Sequence, residues 1–273
     1  MKPTARVWSA PPLAVQRLRQ LLQGSDTVGP LALAVAVGLL AGGGAVLLRA
    51  MIRAVQWVFF DQGTRLDLLT GLPVPAWAVT VAAPALGLVL VVAILRSWAP
   101  EARGHGVPEV QFAVRMRGGK IRPRVAAAKA ITSAISIGSG GSVGREGPIV
   151  QIGSTLGSAV AQLVGMGSQE MRILVAAGAA GAIGATFNAP IAGVIFALEV
   201  ILGSFAARSF GLVVVSAVTA TAVAQTFLGT EPAFRLVEEF ALVSTWELAL
   251  YPILGIVTGL IALLYVHAVY GVE

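Results

Sequence analysis

The sequence predicts an all-α, polytopic membrane protein, and three observations carry that prediction. The 273 residues are 56% hydrophobic and only 12% charged, about half the charge of an average soluble domain. Five uncharged runs, at 31–48, 76–95, 173–198, 209–230 and 248–270, reach the roughly 18 residues that a membrane crossing needs. Between residues 125 and 205 the apolar sequence is broken three times by Gly and Pro. Segments of such length between breaks predict half-helices that meet inside the membrane. Non-helical backbone at that depth persists only where protein buries it or where it lines a wet cavity.

Composition also sets exclusions. There is no cysteine, hence no disulfide and no thiolate metal site. The two histidines, His105 and His267, are too few for a histidine metal cluster. No cofactor and no catalysis are expected. The net charge of +6 fits basic cytoplasmic loops better than a nucleic-acid partner. The start M-K-P-T-A-R stays polar until about residue 30, which is not the pattern of a cleavable signal peptide.

The elements follow in order. Residues 1–29 carry Lys2, Arg6, Arg17 and Arg19 with few acids and read as a cytoplasmic segment, with a short surface helix at 14–23. The membrane domain then runs over 30–273. Its first span covers about 30–60 and holds Gly42-Gly43-Gly44, a bare backbone suited to close helix packing. A loop with Asp61, Arg65 and Asp67 leads to the second span, which Pro84 is expected to kink. Residues 96–129 are the most basic stretch of the chain. Two spans separate it from the basic N-terminus, so both are expected on one side, the cytoplasm by the positive-inside rule. The acidic loop 229–247 (Glu231, Glu238, Glu239, Glu247) fits the outside.

Three helix starts stand out. Gly104-His105-Gly106-Val107-Pro108-Glu109 puts glycine before a proline at the first helical position. Gly144-Arg145-Glu146-Gly147-Pro148 launches the apolar run 149–164. Phe187-Asn188-Ala189-Pro190 launches 191–202. A helix N-terminus leaves unpaired N–H groups and a positive dipole end, which together receive an anion without a side-chain cation. The second start lies in I-G-S-G-G-S-V-G-R-E-G-P-I-V-Q. Its Arg-Glu pair in an uncharged run is unfavourable unless it faces water, a partner or an ion. Glu146 then acts as a tethered anion, displaced by a free anion or by protonation. An Arg145–Glu146 structural ion pair is the competing reading, and neighbouring helix residues do not face one another. A nucleotide loop over 138–147 fits poorly, since no G-K-[S/T] ending follows and no soluble strand precedes it.

G-H-G-V-P-E, G-S-G-G-S-V-G-R-E-G-P and F-N-A-P-I-A-G-V-I-F-A-L-E resemble, in order and spacing, the CLC family of chloride channels and chloride/proton exchangers. The resemblance runs from about residue 30 to the end of the chain. It implies two inverted-topology repeats, broken re-entrant helices meeting at an anion site, chloride as the transported ion, and a homodimer, for which 191–202 and 210–228 are the candidate interface. Membrane lipid is the other expected partner, in a multi-pass cell-membrane protein with its N-terminus cytoplasmic. By resemblance, Glu146 is the gate. The starts at Gly104, His105, Gly106, Val107 and Pro108, and at Gly144, Arg145, Gly147 and Pro148, line the anion path.

Three departures qualify the resemblance. His105 stands where well-known members carry a Ser whose hydroxyl touches the anion. Either the imidazole replaces that contact, or it points to the cytoplasmic mouth. Exchangers resemble one another in a Glu-Glu pair on the inner proton route, and here the pair is Glu199-Val200. Either the relay is lost, as in passive channels, or Glu199 or another group supplies it. The family's second-half elements, a G-x-F-x-P start and an anion-contacting Tyr, are not found; Tyr265 and His267 do not match them and read as packing or interfacial residues. The chain is therefore expected to hold the first repeat and the opening helix of the second, with a partner chain or a longer product supplying the rest. The expected function is CLC-type, voltage-gated chloride transport through a glutamate gate. Chloride/proton antiport is the alternative. A non-transporting membrane scaffold or truncated remnant is the reading from another class.

Overall fold

The computed structural model describes residues 27–61, 76–230 and 244–271. The segments expected as a surface helix at 14–23, as the loop with Arg65 and Asp67, and as the acidic stretch from Glu231 to Glu239 lie outside the described residues. Among the described residues all regular structure is helical. The chain divides into two units, Met1–Ala233 and Phe234–Glu273.

In the first unit α1 spans Val28–Gln56 and ends in a π-turn, Trp57–Asp61. Helix α2 is Ala76–Ser97 and stays one helix through Pro84. A 3₁₀ turn, Pro100–Ala102, precedes α3, Val107–Met116. Then come α4, Arg124–Gly138, α5, Glu146–Val164, and α6, Ser168–Phe187. Helix α7, Pro190–Phe196, runs on as a π-turn, Ala197–Leu202, and α8 is Ala207–Leu228. The second unit holds α9, Glu247–Tyr270, apolar around its whole circumference.

Four of the five uncharged runs become helices long and apolar enough to cross a membrane: Val28–Phe60, Trp77–Ser97, Ser209–Leu228 and Glu247–Tyr270. The fifth, 173–198, is not one span. Asn188 takes a left-handed conformation at φ 55°, which Asn tolerates better than most residues, and Pro190 starts a new helix with no N–H to continue the old one. Polar bonds fix the break. Asn188 Nδ2 donates to the Thr230 carbonyl at 2.7 Å, and Gln225 Nε2 donates to Asn188 Oδ1 at 2.7 Å. The part before the break, Ser168–Phe187, is itself of crossing length.

Two helix starts differ from expectation by one to three residues. Helix α3 begins at Val107, with Pro108 second. Helix α5 begins at Glu146 rather than after Pro148. Proline is accommodated at both places because first-turn N–H groups have no intrahelical acceptor.

Helix α6 is the axis of the unit. Its residues Ile173–Ala182 are all buried, and α5, α8, α1 and α7 pack around it. In lipid the association of helices relies on close packing rather than on expulsion of water, which favours small residues at the contacts. The crossings show this. A Cβ on Gly153 would overlap the Gly178 carbonyl, and one on Gly178 would overlap that of Gly153. A Cβ on Gly38 would lie 2.6 Å from the Ser216 carbonyl, and one on Gly42 2.6 Å from that of Ala220. Of the predicted packing triplet, Gly42 meets α8, a Cβ on Gly44 would lie 3.3 Å from Leu156 of α5, and one on Gly43 would have nothing within 4 Å.

The loop between α3 and α4 is tied down by a buried polar stripe on α5. Ser158 Oγ donates to the Gly119 carbonyl at 2.7 Å and accepts from the Ile121 N–H at 2.9 Å, while Gln162 Nε2 donates to the Ile121 carbonyl at 2.8 Å. Nearby, Arg124 Nε donates to Glu101 at 2.8 Å and Arg122 pairs with the same carboxylate at 3.3 Å. Hydrogen bonding at Glu101's own backbone, then the two guanidiniums, hold its carboxyl below the ordinary value.

Candidate functional site

The starts of α3 and α5 meet backbone to backbone. Gly106 sits at φ 103°, a region open to glycine, and a Cβ there would strike the Gly147 carbonyl. A Cβ on Gly147 would strike the His105 carbonyl. Glycine on both sides of this crossing is what allows two helix N-termini to approach so closely.

A cavity of about 470 Å³ opens at the crossing. Gly104, His105, Val107, Gly144, Glu146, Gly147 and Pro148 line it, and α4 contributes Lys129, Thr132, Ser133 and Ser136. Seven of the residues singled out in the sequence thus come together. The Glu146 side chain is exposed and folds back over Gly144, so that a Cβ there would overlap its Oε2. His105 is also exposed. Two helix N-terminal dipole ends and an exposed carboxylate thus share one cavity.

The other residues lie elsewhere. Arg145 does not pair with Glu146; its guanidinium stacks 5.4 Å over the Phe187 ring and ties the start of α5 to the end of α6. Pro108 lines a second, larger cavity of about 1,020 Å³. Glu199 and Val200 sit on the π-turn after α7 and line neither cavity. The Val200 carbonyl accepts from Gln111 Nε2 of α3 at 2.8 Å.

Two residues at the site were not singled out from sequence. Lys129 is only 6% exposed. Its Nζ donates to the Gly104 carbonyl at 2.7 Å and to that of Ala102 at 3.3 Å. In sequence it closes the basic stretch 96–129, and its signal is a lone charge in A-A-A-K-A-I-T-S. Glu109 is the other. Its Oε2 accepts from the Gly106 N–H at 2.6 Å, the return half of a capping box, which its place three residues after Gly106 foretells. One of the α3-start amides expected to line the anion path is therefore already occupied.

With this geometry in hand, the relatives are informative. A family model described as "Voltage gated chloride channel" matches residues 87–273. A putative chloride channel protein ClcB-like from Ralstonia nicotianae is 32% identical over 238 residues, 84% of this chain and 54% of that protein. The H(+)/Cl(-) exchange transporter ClcA of Cronobacter sakazakii is 32% identical over 279 residues, 99% of this chain and 58% of its own. This chain thus spans a little over half the length of these curated relatives. The crystal structure of a slow cyanobacterial Cl-/H+ antiporter superimposes with a TM-score of 0.71 at 25% identity, covering 85% of this chain and 54% of that one. A CLC-type fluoride/proton antiporter superimposes with a TM-score of 0.66 at 20% identity, over 86% and 56% of the two chains, a likeness of fold. The broken-helix architecture, the crossing of the two glycine starts and the match over 87–273 make this chain a member of the CLC family of voltage-gated chloride channels and their exchanger relatives.

Proposed function

We propose that this chain contributes one wall of a membrane pathway for chloride, with the anion held by the amides at the starts of α3 and α5 and with Glu146 as the gate. The observation that carries the proposal is the crossing at Gly106 and Gly147, with the Glu146 carboxylate in the cavity beside it. We assign the opposite wall to sequence corresponding to the relatives' remaining length, in the same or a partner chain. A second copy pairs through the exposed apolar side chains of α7 and α8, among them Ile191, Ile195 and Phe210. Two copies are expected when the detergent-solubilised protein is weighed by light scattering, and one copy contradicts the pairing.

Exchange of chloride for protons is the second reading, favoured by the names of the relatives that this chain resembles. Against it stands Val200, which carries no proton and whose carbonyl is engaged by Gln111. Radiolabelled chloride uptake into liposomes, with simultaneous recording of pH, separates the two. Passive flux without proton movement supports the channel. Uphill proton movement in fixed ratio to chloride supports the exchanger and excludes the channel. In either case Glu146→Ala is expected to leave chloride flux while removing its proton coupling or pH dependence. Full pH dependence in that variant would overturn the gate assignment.

A further inference from the structure

Each of the two meeting helix starts carries its own glutamate folded back onto its own glycine. Glu146 lies over Gly144, and Glu109 lies over Gly104 while accepting from the Gly106 N–H at 2.6 Å. The two residues line different cavities. Glu146 lines the cavity of about 470 Å³, and Glu109 lines the one of about 1,020 Å³. The wall between those spaces is the start of α3, since Val107 lines the first and Pro108 the second. We propose that Glu109 is a second resident carboxylate of the anion site, competing with the free anion for the Gly106 amide. The inference rests on the anion-site reading above and deepens it.

The chemistry favours competition over a passive cap. An ionised carboxylate makes a shorter and roughly twice stronger hydrogen bond to an amide than a neutral acceptor does, so an arriving anion must displace it to use that N–H. Glu109 is not locked by a direct ion pair; among the described residues the salt bridges are those of Glu101. The charges around it are basic. Lys129 of α4 is its electrostatic partner, and Arg117, Lys120 and Arg122 line its cavity together with Glu101. A free anion is attracted to the same surroundings. Within that cavity Gln151 of α5 is 2% exposed and its Oε1 has no partner, an acceptor open to a water or another O–H or N–H donor. On the other face, His105, Arg103 and Lys129 share the cavity with Glu146.

The test uses the full chain in detergent, with chloride binding followed by calorimetry over a range of pH. Glu109→Gln is the informative variant, because the amide oxygen still accepts from Gly106 and only the charge is removed. Chloride binding about tenfold tighter at neutral pH is expected, from the loss of a charge-assisted bond. In the Glu146→Gln background, adding Glu109→Gln is expected to tighten chloride binding by a similar factor. Glu109→Gln with unchanged affinity and pH profile, beside Glu146→Gln with altered ones, overturns the role of Glu109 and leaves the anion site standing. Wild-type protein that binds no chloride at any pH overturns both. A purely structural cap predicts lower thermal stability for Glu109→Ala and no change in binding for Glu109→Gln, so that pattern also counts against the proposal.

Discussion

At Lys129 a single cation stands in a run of small apolar residues, and its position decides how the G-H-G segment is held. The stem lies buried in α4 and the ammonium reaches across to the carbonyls of Ala102 and Gly104. From the other side Glu109 holds the Gly106 N–H. The segment bearing His105 is thus braced by one donor and one acceptor of opposite charge. Lys129→Met keeps the stem and removes the donor, leaving two carbonyls short of a partner. Such loss is expected to lower stability by about 1–3 kcal/mol, seen as an earlier thermal transition in detergent. A transition equal to that of wild type would show that the brace contributes nothing. The sequence held the letters of this brace but not its geometry. Lys129 and Gly104 are 25 positions apart, and no periodicity links a loop carbonyl to a helix two elements later.

At the scale of helices, glycine marks where backbones touch. Gly153 of α5 and Gly178 of α6 face each other with no room for a Cβ on either. Gly153→Val should force the helices apart, a strain of about 1–3 kcal/mol, whereas Gly43→Ala should be neutral because nothing lies within 4 Å of the added atom. Thermal unfolding of the two variants in detergent checks the contrast, and equal transitions would refute it. The breaks at 139–145, 165–167 and 188–189 are legible because glycine, Asn-Ala-Pro and Gly-Pro carry their own backbone chemistry. The helix starts were misplaced by up to three residues, since proline is tolerated anywhere in the first turn and so does not mark its first residue. Which of three adjacent glycines meets a neighbour was not legible. That depends on the rotation of α1 against α8, which the run G-G-G leaves open.

The sidedness of the whole first unit follows from which ends coincide. Gly38 meets Ser216 and Gly42 meets Ala220, so α1 and α8 run parallel and start at the same end. The α3–α4 loop lies at the end of α5, through Ser158 and Gln162, and Gly118 lies beside Ser168 at the start of α6. Helix α6 then runs to Asn188, which is clamped to Thr230 at the far end of α8. The start of α1, the loop with Arg117, Lys120 and Arg122, and the α5–α6 turn therefore share one face. Thr230, leading into the acidic segment from Glu231, marks the other. By the positive-inside rule the basic face is expected in the cytoplasm. The chain has no cysteine, so single cysteines report position without background. Lys120→Cys, exposed in the loop, and Thr230→Cys, exposed after α8, are to be treated in intact cells with a maleimide that does not cross membranes. Thr230→Cys is expected to react, and Lys120→Cys only after the cells are opened. The reverse pattern would invert the protein in the membrane. It would put the cavity lined by Glu109 on the outer side and that lined by Glu146 on the inner.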